Sequence, residues 1–161
     1  MLGQKVLLNQ MPIAIKDSKI DISSEETTKE LAKDLTHYLK GGEIVYLYGE
    51  MGVGKTTFVR YLINQFQKNK KLYITEVTSP TFNLLNEYDI NDLVIKHYDL
   101  FRLKNESEIK NLDLFENNQS TITLIEWPQL ISKNKSIKTI DLIFSYENEL
   151  NNRSVKIDGL N

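Results

Sequence analysis

Residues 49–56 read Gly-Glu-Met-Gly-Val-Gly-Lys-Thr, a complete G-x-x-x-x-G-K-[ST] pattern. Before it stands Ile44-Val45-Tyr46-Leu47-Tyr48, an apolar and aromatic run of the kind that forms a buried central strand. After it, Phe58, Val59, Leu62, Ile63 and Phe66 mark one face of a helix. A strand that passes through a glycine-rich turn directly into a helix constrains the architecture: the strand must lie inside a sheet, with the helix packed on it. The 161 residues fit a single compact domain, so the rest of the chain has to complete that sheet.

Each position in the loop has a physical reason. Several backbone N–H groups can meet phosphate oxygens together only where side-chain bulk is small, which suits Gly49, Gly52 and Gly54. The helix beginning near Lys55 adds unpaired N–H groups and the positive end of its dipole. Lys55 is placed to neutralise β- and γ-phosphate charge, Thr56 to offer a hydroxyl to Mg2+, and Thr57 to reach the α-phosphate. The side chains of Glu50, Met51 and Val53 are expected to point away, leaving their backbone to line the phosphate site.

A phosphate loop also needs carboxylates. In an open α/β sheet the carboxyl ends of the strands border the ligand crevice. Two runs end in acids: Leu93 to Tyr98 runs into Asp99, and Ile122 to Ile125 into Glu126. From the residues alone, either acid suits the metal's surroundings and the other the attacking water. Trp127 follows Glu126 and divides evenly between core filling and a place at the site. His97 reads as structural, since no second histidine lies near it.

Elsewhere, residues 1–22 read as an N-terminal lead, irregular or strand-like, with Ile20 and Ile22 alternating about Asp21. The nucleotide-binding domain is expected over 23–161. Ser23 with Glu26 gives a capping-box signal for a helix carrying Leu31, Leu35 and Leu39, ended by Gly41-Gly42. A hairpin is expected from arms 83–88 and 93–98 around Asn91-Asp92, a short helix over 105–112, and late strands over 138–145 and 153–158. The expected class is a three-layer α/β domain with a central, mostly parallel sheet and an antiparallel hairpin. Lys68, Lys70 and Lys71 read as a solvated helix end, and a net charge of −2 speaks against broad nucleic-acid binding through charge. There are no cysteines, which suits a cytoplasmic setting, and no run approaches the roughly 18 apolar residues of a membrane span.

Motifs for competing classes are missing. Neither Asn69-Lys70-Lys71-Leu72 nor Asn134-Lys135-Ser136-Ile137 ends in the acid of a guanine-binding Asn-Lys-x-Asp. The three arginines, Arg60, Arg102 and Arg153, form no evident lid, which disfavours a small-molecule or nucleotide kinase while leaving it as the alternative. Arg102 stands as a candidate charge stabiliser or a structural pair.

Four blocks in order carry a resemblance: the loop through Thr57-Phe58, Ser79-Pro80-Thr81-Phe82, His97-Tyr98-Asp99-Leu100-Phe101-Arg102-Leu103, and Ile125-Glu126-Trp127-Pro128. Together they resemble the TsaE (YjeE) family over about Ser24 to Asp158. The resemblance implies a P-loop ATPase of bacterial tRNA threonylcarbamoyladenosine synthesis that uses ATP and Mg2+. It implies work with TsaD and TsaB, and contact with tRNA only through that complex. On this likeness Thr56 and Glu126 match metal positions, Asp99 a functionally important acid, and Trp127 the adjacent site tryptophan. Thr81 falls in a segment likened to a GTPase switch. The family often has Asp, Leu and Ala where Glu50, Met51 and Val53 stand, and Gly where Asn152 precedes Arg153. The lead before Pro12 has no counterpart.

Overall fold

A computed structural model describes residues 19–116, 118–133, 136–148 and 151–160. The expected lead falls outside these residues as far as position 18. Its last part forms β1 (Lys19–Asp21), followed by α1 (Glu25–Leu35), β2 (Ile44–Tyr48) and α2 (Lys55–Asn69). The hairpin is β3 (Leu85–Ile90) and β4 (Leu93–Asp99), then come α3 (Glu106–Lys110), β5 (Thr121–Glu126), β6 (Thr139–Tyr146) and β7 (Arg153–Asp158).

All seven strands share one sheet in the order β1-β7-β6-β2-β5-β4-β3. The four inner strands β6, β2, β5 and β4 are mutually parallel. β3 adds antiparallel at one edge, β7 and β1 at the other. The sequence explains the contrast. β2 and β5 are apolar and buried almost throughout, as strands covered on both faces must be. β6 alternates buried and half-buried residues. In the hairpin, Ile90 pairs with Leu93, which leaves Asn91-Asp92 as the turn, and Asn91 takes φ 56°.

Helices α1 and α2 cover one face. Leu31, Ala32 and Leu35 of α1 and Phe58, Val59, Leu62, Ile63 and Phe66 of α2 join Val45, Leu47, Ile95, Ile122 and Leu124 in one core. Burying each large apolar side chain contributes roughly 1.5–3 kcal/mol. The opposite face is closed by α3 and by irregular segments, with Ile109, Leu114, Leu130 and Ile131 over Ile44, Tyr46, Tyr98 and Ile125.

Three local expectations need correction. The cap of α1 is Ser24, whose hydroxyl accepts from the Thr27 N–H at 3.2 Å. Ser23 is taken up in joining the edge strands: its backbone donates to Asp21 Oδ1 at 2.9 Å and its Oγ accepts from the Arg153 N–H at 3.0 Å. α1 also stops at Leu35 rather than at the Gly41-Gly42 pair. Thr36 turns its hydroxyl onto Lys33 O at 2.6 Å, an internal bond that competes with helix propagation. Leu39 stays buried beyond the helix end, and Gly41 serves a crossing instead: a Cβ there would lie 1.8 Å from Gln119 O. The short late helix shrinks from 105–112 to Glu106–Lys110, with Asn105 and Glu108 forming a reciprocal capping box.

Candidate nucleotide-binding site

The parallel strands end together at one edge of the sheet. Register places Asp99 at the end of β4 opposite Glu126 at the end of β5, and Leu47 of β2 opposite Glu126 on its other side. Residues 49–54 leave β2 at this edge and feed α2. Gly49 adopts φ 145°, and a Cβ there would meet Phe144 O and Val53 Cγ1 at 2.9 Å each. Val53 folds its side chain wholly into the core, anchoring the loop from beneath. Gly54, at φ 116°, is the N-cap of α2 and offers no side-chain acceptor. The first N–H groups of α2 therefore keep their bonding capacity for an anion.

A cleft of about 390 Å³ lies over this edge. Met51, Gly52, Gly54, Lys55, Thr56 and Thr57 form one wall, while Ser79, Thr81, Asp99, Phe101, Glu126 and Trp127 face them, with Arg153 beside the loop. Glu50 is exposed and outside this lining, and Val53 is turned inward, so any contribution of theirs falls to the backbone. Met51 borders the cleft and is 64% exposed. A larger groove of about 480 Å³ beneath α3, lined by Ile109, Leu114, Phe115 and Leu130, shares no lining residue with this cleft.

Lys55 is almost completely buried. Its Nζ donates to Gly49 O and sits 3.6 Å from the centre of the Trp127 ring, a cation–π contact. Burial lowers the pKa of this amine, and the negative charges of Glu126 and Asp99 oppose that shift. Trp127 itself holds φ 58°, a left-handed conformation uncommon for a bulky residue, and its ring packs on Phe101 at 4.8 Å. Strained backbone of this kind gathers at functional sites because the surrounding contacts hold it.

Two acid clusters stand side by side. Thr56 Oγ1 donates to Glu126 at 3.0 Å and 3.3 Å to its two oxygens. Behind it, His97 Nε2 lies 2.6 Å from Glu126 Oε2, with the imidazole fully buried. His97 Nδ1 has no partner among the described residues, so a proton placed there would be buried without an acceptor. The proton belongs on Nε2, donated to the carboxylate. Asp99 is held by the Ser79 hydroxyl and by the Phe101 N–H at 3.0 Å, and Thr81 Oγ1 reaches Ser79 Oγ at 3.4 Å. Arg102 instead donates to Phe82 O at 2.7 Å, outside the cleft lining.

The cleft thus gathers Lys55, Thr56, Thr57, Thr81, Asp99, Glu126 and Trp127. Ser79, Phe101 and Arg153 join them, and His97 supports Glu126 from behind. Reading the sequence alone missed these roles. The diagonal from His97 to Glu126 exists only once β4 and β5 are in register, with His97 opposite Leu124. A buried histidine two residues before a strand-end acid was the available signal.

A mostly parallel sheet with a glycine loop passing from strand into helix at its carboxyl edge defines a P-loop NTPase-like α/β domain. The crystal structure of YdiB from Bacillus subtilis shares this fold, with a TM-score of 0.66 over 91% of this chain and 88% of that one at 21% identity. The chain belongs to the TsaE family, whose sequence model, described as threonylcarbamoyl adenosine biosynthesis protein TsaE, matches residues 22–155. A Rickettsia conorii relative is 44% identical over 110 residues, 68% of this chain and 61% of that protein. A Bacillus subtilis relative is 35% identical over 120 residues, 74% and 72% of the two chains. Both carry the name tRNA threonylcarbamoyladenosine biosynthesis protein TsaE. The match spans about three fifths of the Rickettsia conorii and Rickettsia felis relatives, 61% and 62% of their lengths. No helix among the described residues is long and apolar enough to cross a membrane.

Proposed function

We propose that this chain binds and hydrolyses ATP in the cytoplasm as a component of bacterial tRNA threonylcarbamoyladenosine synthesis, together with relatives of TsaD and TsaB. The observation that carries the reading is the convergence of Lys55, Thr56, Asp99 and Glu126 on one cleft at the mouth of the glycine loop. The backbone N–H groups of the loop and of the α2 terminus bind phosphate oxygens, and Lys55 adds a buried positive charge. Thr57 takes the α-phosphate end.

Thr56 and Glu126 form an oxygen-only donor pair, the chemistry that suits Mg2+. They would hold the ion, which when bound neutralises charge on the β- and γ-phosphates. His97 fixes the Glu126 carboxylate in place. Asp99, oriented by Ser79 and the Phe101 N–H, is the acid that positions the attacking water. Thr81 lies beside this pair, where a hydroxyl can follow the γ-phosphate. Trp127 covers Lys55 and limits water at the amine.

Among the described residues, Arg102 is held on Phe82 O outside the cleft lining and brings no charge to the transition state, so slow hydrolysis by the isolated chain is expected. A residue supplied in trans can accelerate such hydrolysis by about 10³ to 10⁵-fold. The test mixes this protein with TsaD and TsaB and follows complex formation and phosphate release together. Faster release in the assembled mixture is expected. Equal rates with and without partners would contradict partner dependence, and a phosphorylated acceptor product would point to a kinase.

A further inference from the structure

Helix α2 ends in a turn that holds two large apolar side chains out in water. Lys71 takes φ 57°, the left-handed position past a helix end where glycine is usual. The Leu72 N–H donates to Gln67 O at 2.9 Å and the Lys71 N–H to Lys68 O at 3.1 Å, which closes the turn. Tyr73 and Ile74 follow, 95% and 55% exposed. The Gln67 side chain then clamps Thr75: its Nε2 donates to Thr75 Oγ1 at 2.8 Å and its Oε1 accepts from the Thr75 N–H at 3.2 Å. One buried glutamine thus fixes the chain on both sides of the exposed pair. Leaving a tyrosine and an isoleucine in water forgoes their burial, and fixing them there lowers the entropy cost of covering them later.

The surroundings select the partner. Lys68, Lys71 and Leu72 join Tyr73 and Ile74 in lining a groove of about 530 Å³, and Glu76, the nearest acid along the chain, lies outside that lining. Lys70 pairs with Asp92 at 3.8 Å, whereas Lys68 and Lys71 make no ion pair among the described residues. Cations at a helix end answer to its dipole, which accounts for the lysines and leaves the fully presented Tyr73 unexplained. A ring open to solvent beside two uncommitted ammonium groups matches a base that stacks and a backbone that carries phosphates. We infer that the turn over residues 68–74 is a contact surface for single-stranded RNA, of the kind a tRNA loop presents. A duplex keeps its bases stacked on one another and offers Tyr73 no base face. With a net charge of −2 overall, the attraction is local to this turn. The direct contact goes beyond the family resemblance, which implies tRNA contact only through the complex with TsaD and TsaB.

The experiment is fluorescence anisotropy of a labelled oligouridylate, and of its duplex with oligoadenylate, titrated with three proteins. These are the wild type, Tyr73→Ala, and a double variant carrying Lys68→Gln and Lys71→Gln. Thermal melts check folding, and phosphate release by each isolated protein stays at the wild-type rate, since none of these residues lines the nucleotide cleft. Tyr73→Ala should weaken binding of the single strand by about 5 to 150-fold, the range for one base–aromatic stack. The double variant should flatten the slope of log affinity against log salt by about 1.4, two phosphates at about 0.7 each. No saturable binding by the wild type, or unchanged affinity in a folded Tyr73→Ala protein, would overturn the inference. Equal wild-type affinity for strand and duplex would overturn it too, by removing the stacked base. If RNA is not bound and Tyr73→Ala instead breaks association with TsaD and TsaB, the turn docks protein, and the inference fails while the ATPase reading stands.

Discussion

Replacing His97 with alanine removes an imidazole that is fully buried and bonded at 2.6 Å to a carboxylate that is itself 2% exposed. Two costs add. A hydrogen bond to a charged group contributes about 1.5–3 kcal/mol, and its loss leaves Glu126 with the Thr56 hydroxyl as its remaining side-chain donor. The missing ring, fully buried beside its register partner Leu124, also leaves a cavity costing about 24 cal/mol per Å³ that does not collapse, or roughly 1–2 kcal/mol. Together the loss is about 2.5–5 kcal/mol, a large share of the roughly 5–15 kcal/mol that holds a domain together. Urea denaturation followed by circular dichroism measures it. Combining His97→Ala with Glu126→Ala in a double-mutant cycle separates the bond from the cavity, and a coupling of about 1.5–3 kcal/mol is expected. Single-mutant losses that simply add, to within about 0.5 kcal/mol, would refute the claim that the histidine acts through Glu126.

Two further perturbations follow from the same geometry. Gly49→Ala forces a Cβ to 2.9 Å from Phe144 O at a φ of 145°, so it should destabilise the fold by at least about 2 kcal/mol and disturb the loop, read by thermal melting and by ATP titration. Tyr46 is fully buried, chiefly desolvation pushes its pKa up to about 12, and its hydroxyl has no hydrogen-bond partner among the described residues. The folded state keeps that proton while an unfolded tyrosine loses it near 10, so stability present below pH 10 falls by about 2–3 kcal/mol as pH rises through 12. Tyr46→Phe should flatten that loss in denaturation measured from pH 9 upward, and at pH 7 it should raise stability by about 1 kcal/mol. An unchanged alkaline slope in Tyr46→Phe would contradict the assignment to this residue.

What the sequence disclosed tracks how local each feature is. The glycine loop lies within eight consecutive residues, and its flanking strand and helix carry their own periodicity, so β2, the loop and α2 were legible as a unit. Asp99 and Glu126 were legible because each ends a strand-like run, and parallel pairing then brought them side by side. His97 was not, because its partner lies 29 positions away and meets it only through the β4–β5 register. Arg153 stands beside the loop only because β7 pairs with β6, the parallel neighbour of β2, a strand order that no local pattern encodes. The α1 boundaries slipped because two adjacent serines, Ser23 and Ser24, carry the same capping chemistry and tertiary pairing with β7 decided between them. Gly41 resembled a helix stop but answers to the close passage of Gln119.

The central claim is that the loop binds ATP through Lys55, and the chain supplies its own reporter. Trp127 is the only tryptophan, and the Lys55 amine rests 3.6 Å from its ring. Phosphate that draws this amine away must change the ring's surroundings. Titrating ATP with magnesium should therefore give a saturable change in tryptophan fluorescence in the wild type, while Lys55→Ala should shift the midpoint at least about tenfold to higher ATP. Saturation at the same midpoint in both proteins, or no saturable binding by the wild type in a parallel calorimetric titration, would contradict the account.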